Sequence, residues 1–413
     1  MSAPPTAPPA FPLLRLLVIT GAIFVSVTSE FLPTGLLPDM AADLGVSESR
    51  VGLLVTVFAA TVVITTAPLA VLTRRLSRKR LMVGLLLGFA VANVGAALAP
   101  TYEVLLGARI LGGLAHGLFW AVTGPYASHL VPRHQLARAV AVTNIGGTAA
   151  FVAGVPLGTA LGHALGWRLS FGLMAGVVLI FTVLVITFLP PVAHRVPVVE
   201  GEVLPPVRRD PTLPIVVVLC LTVILFASGQ NTFYTYIAPW MIQVAGFSAA
   251  AVGPLLFAYG AAGAIGLTLA GAFADRFPRT WTLGMMAVAA LAVAGLASAS
   301  SVPGVLVPMF LLWGVCFSGF PAVMHARLLK AASRRVRDVA SASLTTSFNL
   351  AISGGSLLGG VLLDAWGIET LPWAQVGLIA VTLAFVLLAD RRPVEGTVPV
   401  PQEHPVLVEQ AGR

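Results

Sequence analysis

The chain has 413 residues, of which 57% are apolar and only 10% are charged, and its formal net charge is +8. A soluble protein of this length carries roughly 25% charged residues. The composition therefore excludes an ordinary water-soluble fold, and apolar runs of about 20 residues predict a polytopic protein in a lipid bilayer. Because its two cysteines, Cys220 and Cys316, lie inside apolar runs, we expect no disulfide framework, no metal site and no cofactor.

The N-terminal half begins with a Pro-rich stretch, residues 1–12, which we interpret as a short cytoplasmic tail. Residues 13–189 then form a predicted bundle of six transmembrane helices. Their apolar runs predict spans 1 to 6 at 13–37, 51–73, 81–99, 104–125, 136–161 and 167–189.

The C-terminal half follows a polar, Pro-rich stretch at 190–212, which we interpret as a cytoplasmic linker. Residues 213–389 form a second predicted six-helix bundle, and residues 390–413 form a cytoplasmic C-terminal tail. The apolar runs predict spans 7 to 12 at 213–240, 250–273, 281–300, 303–325, 338–363 and 371–389.

The two halves repeat each other at a spacing of 201 residues, so that Pro38 aligns with Pro239 and Gly45 with Gly246. A half-length repeat in so apolar a chain predicts two similar all-α bundles related by an axis along the membrane normal. In membrane proteins of this kind, small-molecule cargo binds between the two bundles near the middle of the bilayer. The positions at which the halves differ are therefore candidates for function.

The basic residues predict the orientation of the chain. Of the 24 Lys and Arg residues, 21 fall on one side of the predicted topology, which leaves Arg50 and Arg168 on the other side and Arg109 inside a span. The positive-inside rule then puts both termini and the linker in the cytoplasm. The basic charge is thus a signal of topology, and no nucleic acid partner is predicted.

Two full charges lie well inside predicted spans, Glu30 in span 1 and Arg109 in span 4. Their distances from the span ends put both about 10 Å below the outer surface, at a rise of 1.5 Å per residue. Ionisable groups at this depth usually face a cavity or a partner. We expect Glu30 to exchange a proton or a cationic cargo beside Arg109, whose positive charge favours the ionised carboxylate; a static salt bridge between the two spans is the alternative.

Span 4 carries two further candidates on the face of Arg109, His116 and Trp120. His116 titrates near neutrality and is a candidate proton relay, while Trp120 is a candidate wall of the cargo cavity. Plain packing is the alternative interpretation of both residues.

The second half offers neutral groups at the corresponding places. Asn231 occupies the repeat position of Glu30 and lies beside Gln230 and Tyr234 in span 7, whereas Trp313 and Phe317 share a face of span 10. We expect these five residues to contact cargo. Ordinary hydrogen bonding between helices is the alternative for span 7, and a core or lipid-facing position is the alternative for span 10.

Several stretches resemble the drug:proton antiporter branch of the major facilitator superfamily, and this resemblance covers about residues 13–390. Gly271 to Arg279 is similar to a loop motif of that superfamily, whose acid and arginines latch the cytoplasmic ends of neighbouring helices. The resemblance assigns this latch to Asp275, Arg276 and Arg279, and in the first half to Arg75 and Arg78, where Arg74 replaces the acid.

Two further stretches carry the resemblance. Arg109 to Gly113 is similar to the span 4 motif whose arginine is associated with proton coupling. Gly154, Pro156 and Gly158 resemble the antiporter motif of span 5, although Val155 separates its usual Gly-Pro pair. The run from Thr28 to Gly45 is similar to span 1 of arabinose-efflux and chloramphenicol-resistance-type exporters.

These observations together predict a monomeric secondary transporter in the inner membrane of a bacterium, which exports a small molecule such as a drug or sugar and uses the proton gradient as its energy source. Uptake or facilitated diffusion without proton antiport is the main alternative. A membrane enzyme is disfavoured because the spans hold no cluster of acids, bases or metal ligands, and a sensor because no stretch is long enough for an added soluble domain.

Overall fold

The computed structural model describes residues 11–132, 135–191, 210–300, 302–333 and 336–390. Within these ranges the ordered elements are helices and no strand occurs. The predicted linker and the two predicted tails lie largely outside the described residues.

Twelve segments of the described chain are helical, long and apolar enough to cross a bilayer, which confirms the predicted number of spans. Spans 1 to 6 are Leu13–Leu44, Glu48–Leu72, Arg78–Ala97, Tyr102–Gly124, Arg138–Leu165 and Trp167–Phe188. Spans 7 to 12 are Leu213–Tyr234, Ala249–Phe273, Pro278–Ser298, Pro303–Ala331, Val339–Trp366 and Thr370–Ala389.

Several spans are interrupted or extended helices. Span 5 consists of the helices Leu136–Ala149 and Val155–Leu165, joined by the π-helical turn Ala150–Gly154. Span 10 breaks at Gly319 into Pro303–Ser318 and Phe320–Ala331, and a short helix, Ile237–Gln243, follows span 7. The helices of spans 4, 11 and 12 extend over Tyr102–Leu130, Arg337–Trp366 and Thr370–Asp390.

Span 1 is longer than predicted, because its helix continues through Pro33 and Pro38 to Leu44 instead of ending near residue 37. Neighbouring helices and side chains replace the hydrogen bonds that a proline removes from a transmembrane helix. The helix ends at Gly45, whose φ of 63° is left-handed and whose N–H donates to the Ala41 carbonyl. Glycine adopts this conformation without the steric cost that a side chain imposes.

The spans form two bundles that meet at one end. We call the end that carries Arg75, Arg276 and Lys330 the basic end. At the other end Gln243, which follows span 7, donates a hydrogen bond of 2.8 Å to Glu48 Oε1 at the start of span 2, and nearer the middle Ser353 in span 11 donates one of 3.1 Å to the Thr56 carbonyl. Away from the basic end, close contact is also made between span 8 and the second half of span 5, where a Cβ on Gly253 would lie 2.9 Å from the Ala160 Cβ.

The interface between the bundles is therefore asymmetric along the membrane normal. The half of span 5 nearer to the basic end, Leu136–Ala149, has no extensive contact with span 8, unlike the half that follows it. Among the described residues, the second half of span 10, Phe320–Ala331, makes its extensive contacts with helices of its own bundle. The two bundles thus diverge toward the basic end, and the space between them opens in that direction.

Candidate functional site

Glu30 lies in the middle of span 1 and is 4% exposed. Its Oε2 atom is 3.4 Å from Nε2 of His116, which is itself 2% exposed. Its other oxygen, Oε1, is buried and has no hydrogen-bond partner within the described part of the chain. The carboxyl is thus removed from solvent, and its nearest ionisable partner is an imidazole.

The Arg109 side chain contacts backbone carbonyls of span 1 and not the Glu30 carboxylate. Its guanidinium donates from Nη1 to the Ser29 carbonyl at 2.8 Å and from Nη2 to the Glu30 carbonyl at 2.7 Å. The Ser29 carbonyl needs such a donor because Pro33, four residues later, has no N–H. No ion pair within 4.0 Å joins the Arg109 and Glu30 side chains, although the structure describes both. The sequence placed these residues correctly at one depth, but it did not reveal that a proline determines their contact.

His116 connects Glu30 to Trp120. Its Nδ1 atom lies 2.9 Å from Oγ of Ser26, and its Nε2 atom accepts a hydrogen bond of 2.8 Å from the Trp120 indole N–H. Phe58 and Phe89 pack against the imidazole, with ring centroids 5.3 Å and 6.1 Å away. The Phe58 ring also lies 4.2 Å from the Arg109 guanidinium carbon, so one aromatic ring contacts both basic side chains.

The C-terminal bundle contains a neutral hydrogen-bond cluster centred on Gln230. Its Oε1 atom accepts from Trp313 Nε1 at 2.8 Å and from Gln375 Nε2 at 3.1 Å, and its Nε2 atom donates to the Tyr259 hydroxyl at 3.0 Å. All four residues are at most 3% exposed. Asn231, the next residue, donates to the Ala227 carbonyl at 2.8 Å within its own helix.

Aromatic rings connect the two bundles beside Glu30. Phe31 in span 1 lies 4.8 Å from Phe151, the ring carried by the π-helical turn of span 5. Phe151 lies 6.4 Å from Tyr234 in span 7, and Tyr234 lies 5.4 Å from Tyr259 and 6.1 Å from Trp313. The structure therefore brings Tyr234 and Trp313 together with Gln230 at the bundle interface.

Phe317 lies apart from this group. It stacks on Phe226 at a ring distance of 6.1 Å, and Phe226 in turn contacts Phe320 at 4.4 Å. The helical spacing correctly put Phe317 on the face of Trp313. Its neighbours, however, belong to a separate apolar core inside the C-terminal bundle.

The glycines of span 5 face span 1. A Cβ on Gly154 would lie 2.0 Å from Thr28 Oγ1, and one on Gly158 would lie 2.5 Å from a Leu32 methyl group. Pro156 stands in the first turn of the helix that follows the π-helical turn. These residues therefore permit close packing between spans 1 and 5.

The predicted latch residues all lie at the basic end. Asp275 pairs with Lys330 at 2.6 Å, and both side chains are well exposed. Arg276 lies over the Phe277 ring, with the guanidinium carbon 5.5 Å from the ring centroid. Arg75 follows span 2, Arg78 begins span 3 and Arg279 lies in the first turn of span 9.

Sequence reasoning missed four residues of the two clusters, namely Ser26, Phe58, Tyr259 and Gln375. Phe58 and Tyr259 are 201 residues apart, so the internal repeat was a usable signal for this pair. Gln375 is an amide in an otherwise apolar run, which was a weaker signal. No sequence signal pointed to Ser26, because a single serine inside a span does not distinguish a functional residue from a packing residue.

Two comparisons of sequence bear on this chain. It matches the model of the Major Facilitator Superfamily over residues 19–297 and 219–411. A probable sugar efflux transporter of Mannheimia succiniciproducens is 30% identical over 376 residues, which cover 91% of this chain and 93% of that protein. A probable sugar efflux transporter of Helicobacter pylori strain J99 is 30% identical over 372 residues, with 90% and 94% covered.

Solved structures share the fold at lower sequence identity. A bacterial homologue of the human lysosomal transporter Spinster, in an inward-facing and unoccupied conformation, has a TM-score of 0.77 at 16% identity and covers 93% of this chain and 98% of its own. A D-xylose–proton symporter has a TM-score of 0.74 at 18% identity, with 91% and 97% covered.

The matches and the helical architecture confirm the predicted fold, two six-helix bundles in a multi-pass membrane protein. They also support the coarser functional prediction, transport of a small molecule. The chain belongs to the Major Facilitator Superfamily of membrane transporters.

Proposed function

We propose that this transporter exports a small molecule, such as a sugar or a drug, in exchange for protons. The observation that carries the proposal is the buried Glu30 carboxyl, which contacts His116 and has one oxygen without a partner in the part of the chain that the structure describes. A charge at this depth is costly, so intramembrane ionisable residues mark ion and proton pathways.

The position of Arg109 supports a proton-exchanging role for Glu30. A carboxylate that stays ionised in a protein interior is normally paired with a cation, and a guanidinium forms the strongest such pair through two N–H donors. Here the guanidinium binds two backbone carbonyls instead, and the Glu30 side chain is left without a fixed ion-pair partner. The carboxyl is thus able to gain and lose a proton without the rupture of a salt bridge.

The neutral cluster around Gln230 supports a cargo with hydrogen-bonding groups and an apolar face. Amide and phenol groups lie there among aromatic rings at the bundle interface, as in other small-molecule sites. Two relatives that are 30% identical are named probable sugar efflux transporters, which favours a sugar or a sugar-like compound.

The distribution of charge supports an orientation with the basic end in the cytoplasm. Of the 24 Lys and Arg residues, 21 belong to that side. The space between the two bundles then opens to the cytoplasm, which is the side from which an exporter takes up its cargo. Because the relatives are bacterial, we place the protein in a bacterial inner membrane, as a monomer.

The test uses inside-out membrane vesicles, energised by respiration, and a panel of labelled sugars and antibiotics. We expect the wild type to accumulate at least one compound against its gradient, and a proton ionophore to abolish this accumulation. Glu30→Gln inserts into the membrane but loses uphill transport. Glu103→Gln, at an exposed acid that pairs with Arg50 at 3.6 Å, serves as the matched control and transports normally.

Two results would overturn the proposal. Uphill transport by Glu30→Gln at the wild-type rate would show that Glu30 carries no coupling proton. Transport that persists after the ionophore would instead indicate uptake or facilitated diffusion without proton antiport.

A further inference from the structure

The hydrogen bonds of His116 determine which of its nitrogens carries a proton. An indole N–H only donates, so the His116 Nε2 atom that receives the Trp120 bond must present its lone pair. The hydrogen of a neutral imidazole is then on Nδ1, where Ser26 Oγ lies 2.9 Å away and accepts it. In this conformation His116 is a neutral imidazole in its Nδ1–H form.

This form of His116 determines the state of Glu30. Oε2 of Glu30 lies 3.4 Å from Nε2, and an ionised carboxylate would there face the lone pair of a nitrogen without a hydrogen. A protonated carboxyl removes this repulsion, because it carries no negative charge; it makes no hydrogen bond to Nε2, whose single lone pair the Trp120 N–H occupies. The geometry therefore belongs to a neutral Glu30 that holds the transported proton.

The surroundings of His116 contain few other charges. Span 1 presents Glu30 and span 4 presents Arg109, while spans 2 and 3 present the apolar rings of Phe58 and Phe89. Arg109 is held on backbone carbonyls and keeps a fixed positive charge near the imidazole. A second positive charge on His116 is therefore disfavoured unless Glu30 is ionised.

Trp120 is the member of this network that has exposed surface. Ser26, Glu30 and His116 are at most 4% exposed, whereas Trp120 is partly exposed. A molecule between the bundles is thus able to touch the indole but not the imidazole behind it.

We propose that Trp120 is the residue through which proton and cargo exclude each other, an inference that rests on the proposed proton-coupled export. While Glu30 holds a proton, the indole N–H is bonded to His116. Once Glu30 releases the proton, the indole N–H is free to donate to a hydroxyl or carbonyl oxygen of the cargo. Cargo then needs an acceptor oxygen next to an apolar face that covers the indole ring.

The exchange conserves protons and charge. The O–H bond of Glu30 breaks and its proton moves to His116 Nε2, which gives a carboxylate and an imidazolium. The imidazolium then gives the Nδ1 proton to the Ser26 hydroxyl, which passes its own hydroxyl proton to a water molecule, and His116 becomes the neutral Nε2–H form. Its Nε2–H now donates to the Glu30 carboxylate, so Trp120 has lost its acceptor and one proton has left the site.

The test is a pH titration of the indole N–H resonances by NMR, on the full-length protein with ¹⁵N-labelled tryptophan in nanodiscs and without cargo. We expect the Trp120 resonance to lose its hydrogen-bonded shift and its protection from deuterium exchange in a single titration step as Glu30 ionises. In Glu30→Gln, which mimics the protonated acid, the resonance stays in its bonded position at every pH.

Trp313 is the matched control in the same spectrum, because its N–H donates at the same 2.8 Å distance but to the neutral Gln230. Its resonance should not move, and Trp120→Phe and Trp313→Phe assign the two signals. Suppose that Glu30→Gln has lost uphill transport, as the proposed function requires. A wild-type Trp120 resonance that does not change with pH would then overturn this inference and leave the proposed function standing. Uphill transport by Glu30→Gln would instead overturn the proposed function.

Discussion

The two bundles place polar groups at matching points and use them differently. In the N-terminal bundle, Glu30 contacts His116 and keeps one oxygen free of partners. In the C-terminal bundle, 201 residues later, Asn231 bonds to its own helix, and Gln230 beside it joins three side chains from three other spans. The first site can change its charge, whereas the second is neutral and is joined through Gln230, and Gln375 Oε1 is its one atom without a partner within the described residues.

This difference suggests a division of roles between bundles that share one architecture. The glycines that bring span 5 onto span 1 recur at Gly355 and Gly359, which bring span 11 onto span 7. Packing is thus repeated while chemistry is not. We infer that the N-terminal bundle binds and releases the proton and that the C-terminal bundle supplies most of the cargo contacts.

The largest effect is expected for Arg109→Ala. It leaves the Ser29 carbonyl, which Pro33 cannot serve, without a donor at about 1–3 kcal/mol, and it opens a cavity beside the Phe58 ring that adds to this cost. We expect the free energy of unfolding in detergent to fall by about 4 kcal/mol. Phe310→Leu, at the repeat position of Arg109 in the neutral bundle, is the control and should lower stability far less. Equal stability of Arg109→Ala and the wild type would show that the guanidinium does not maintain span 1.

Gln230→Leu should damage cargo binding but not proton exchange. Tyr259, Trp313 and Gln375 each lose a buried hydrogen-bond partner, so we expect about 3 kcal/mol of destabilisation. Cargo affinity falls, while the change of the Trp120 resonance with pH stays as in the wild type. If that change disappears as well, the two bundles do not divide the roles as inferred.

Gly355→Ala and Gly154→Ala compare the repeated packing directly. A Cβ on Gly355 would lie 2.4 Å from the backbone oxygen of Ser228, whereas a Cβ on Gly154 would meet the side chain of Thr28 at 2.0 Å. Overpacking of this kind costs about 1–3 kcal/mol. Thr28→Ala should largely rescue Gly154→Ala in a thermal unfolding assay, but no side-chain change at Ser228 should rescue Gly355→Ala. Equal rescue at both sites would contradict the packing described.

The smallest effect is expected for Lys330→Ala, which removes the ion pair with Asp275 at the basic end. Both side chains are well exposed, so the pair contributes less than about 0.5 kcal/mol to stability. That contribution should shrink further in high salt, because exposed charges are screened. A salt-independent loss of several degrees in the melting temperature would show that the pair is stronger than its exposure suggests.

The sequence predicted the spans well because a bilayer requires about 20 apolar residues for each crossing. It predicted the end of span 1 poorly, since Pro33 and Pro38 look like helix ends unless neighbouring helices are considered. The π-helical turn in span 5 was not predicted either, because nothing in its composition separates it from α-helix.

The candidate site was predicted residue by residue but not contact by contact. The depth of Glu30 and Arg109 was predicted by counting residues from the span ends, and the shared helix face of His116 and Trp120 was predicted from helical periodicity. The contact between Arg109 and the Ser29 carbonyl was not predicted, because it depends both on the missing N–H of Pro33 and on the approach of span 4 to span 1. Phe317 has the periodicity of Trp313, but only the surrounding helices put it in a separate core.

The central claim, that Glu30 exchanges a proton for cargo, is tested most directly by proton release on cargo binding. The purified transporter in a weakly buffered solution receives a compound that the vesicle assay has identified. By linkage, the wild type should release about one proton per cargo molecule bound at a pH well below the titration midpoint of Glu30, and about half a proton at the midpoint. Glu30→Gln should bind the same compound more weakly, because Trp120 stays bonded to His116, and should release no proton even at saturating compound. Equal proton release by the wild type and Glu30→Gln would contradict the account.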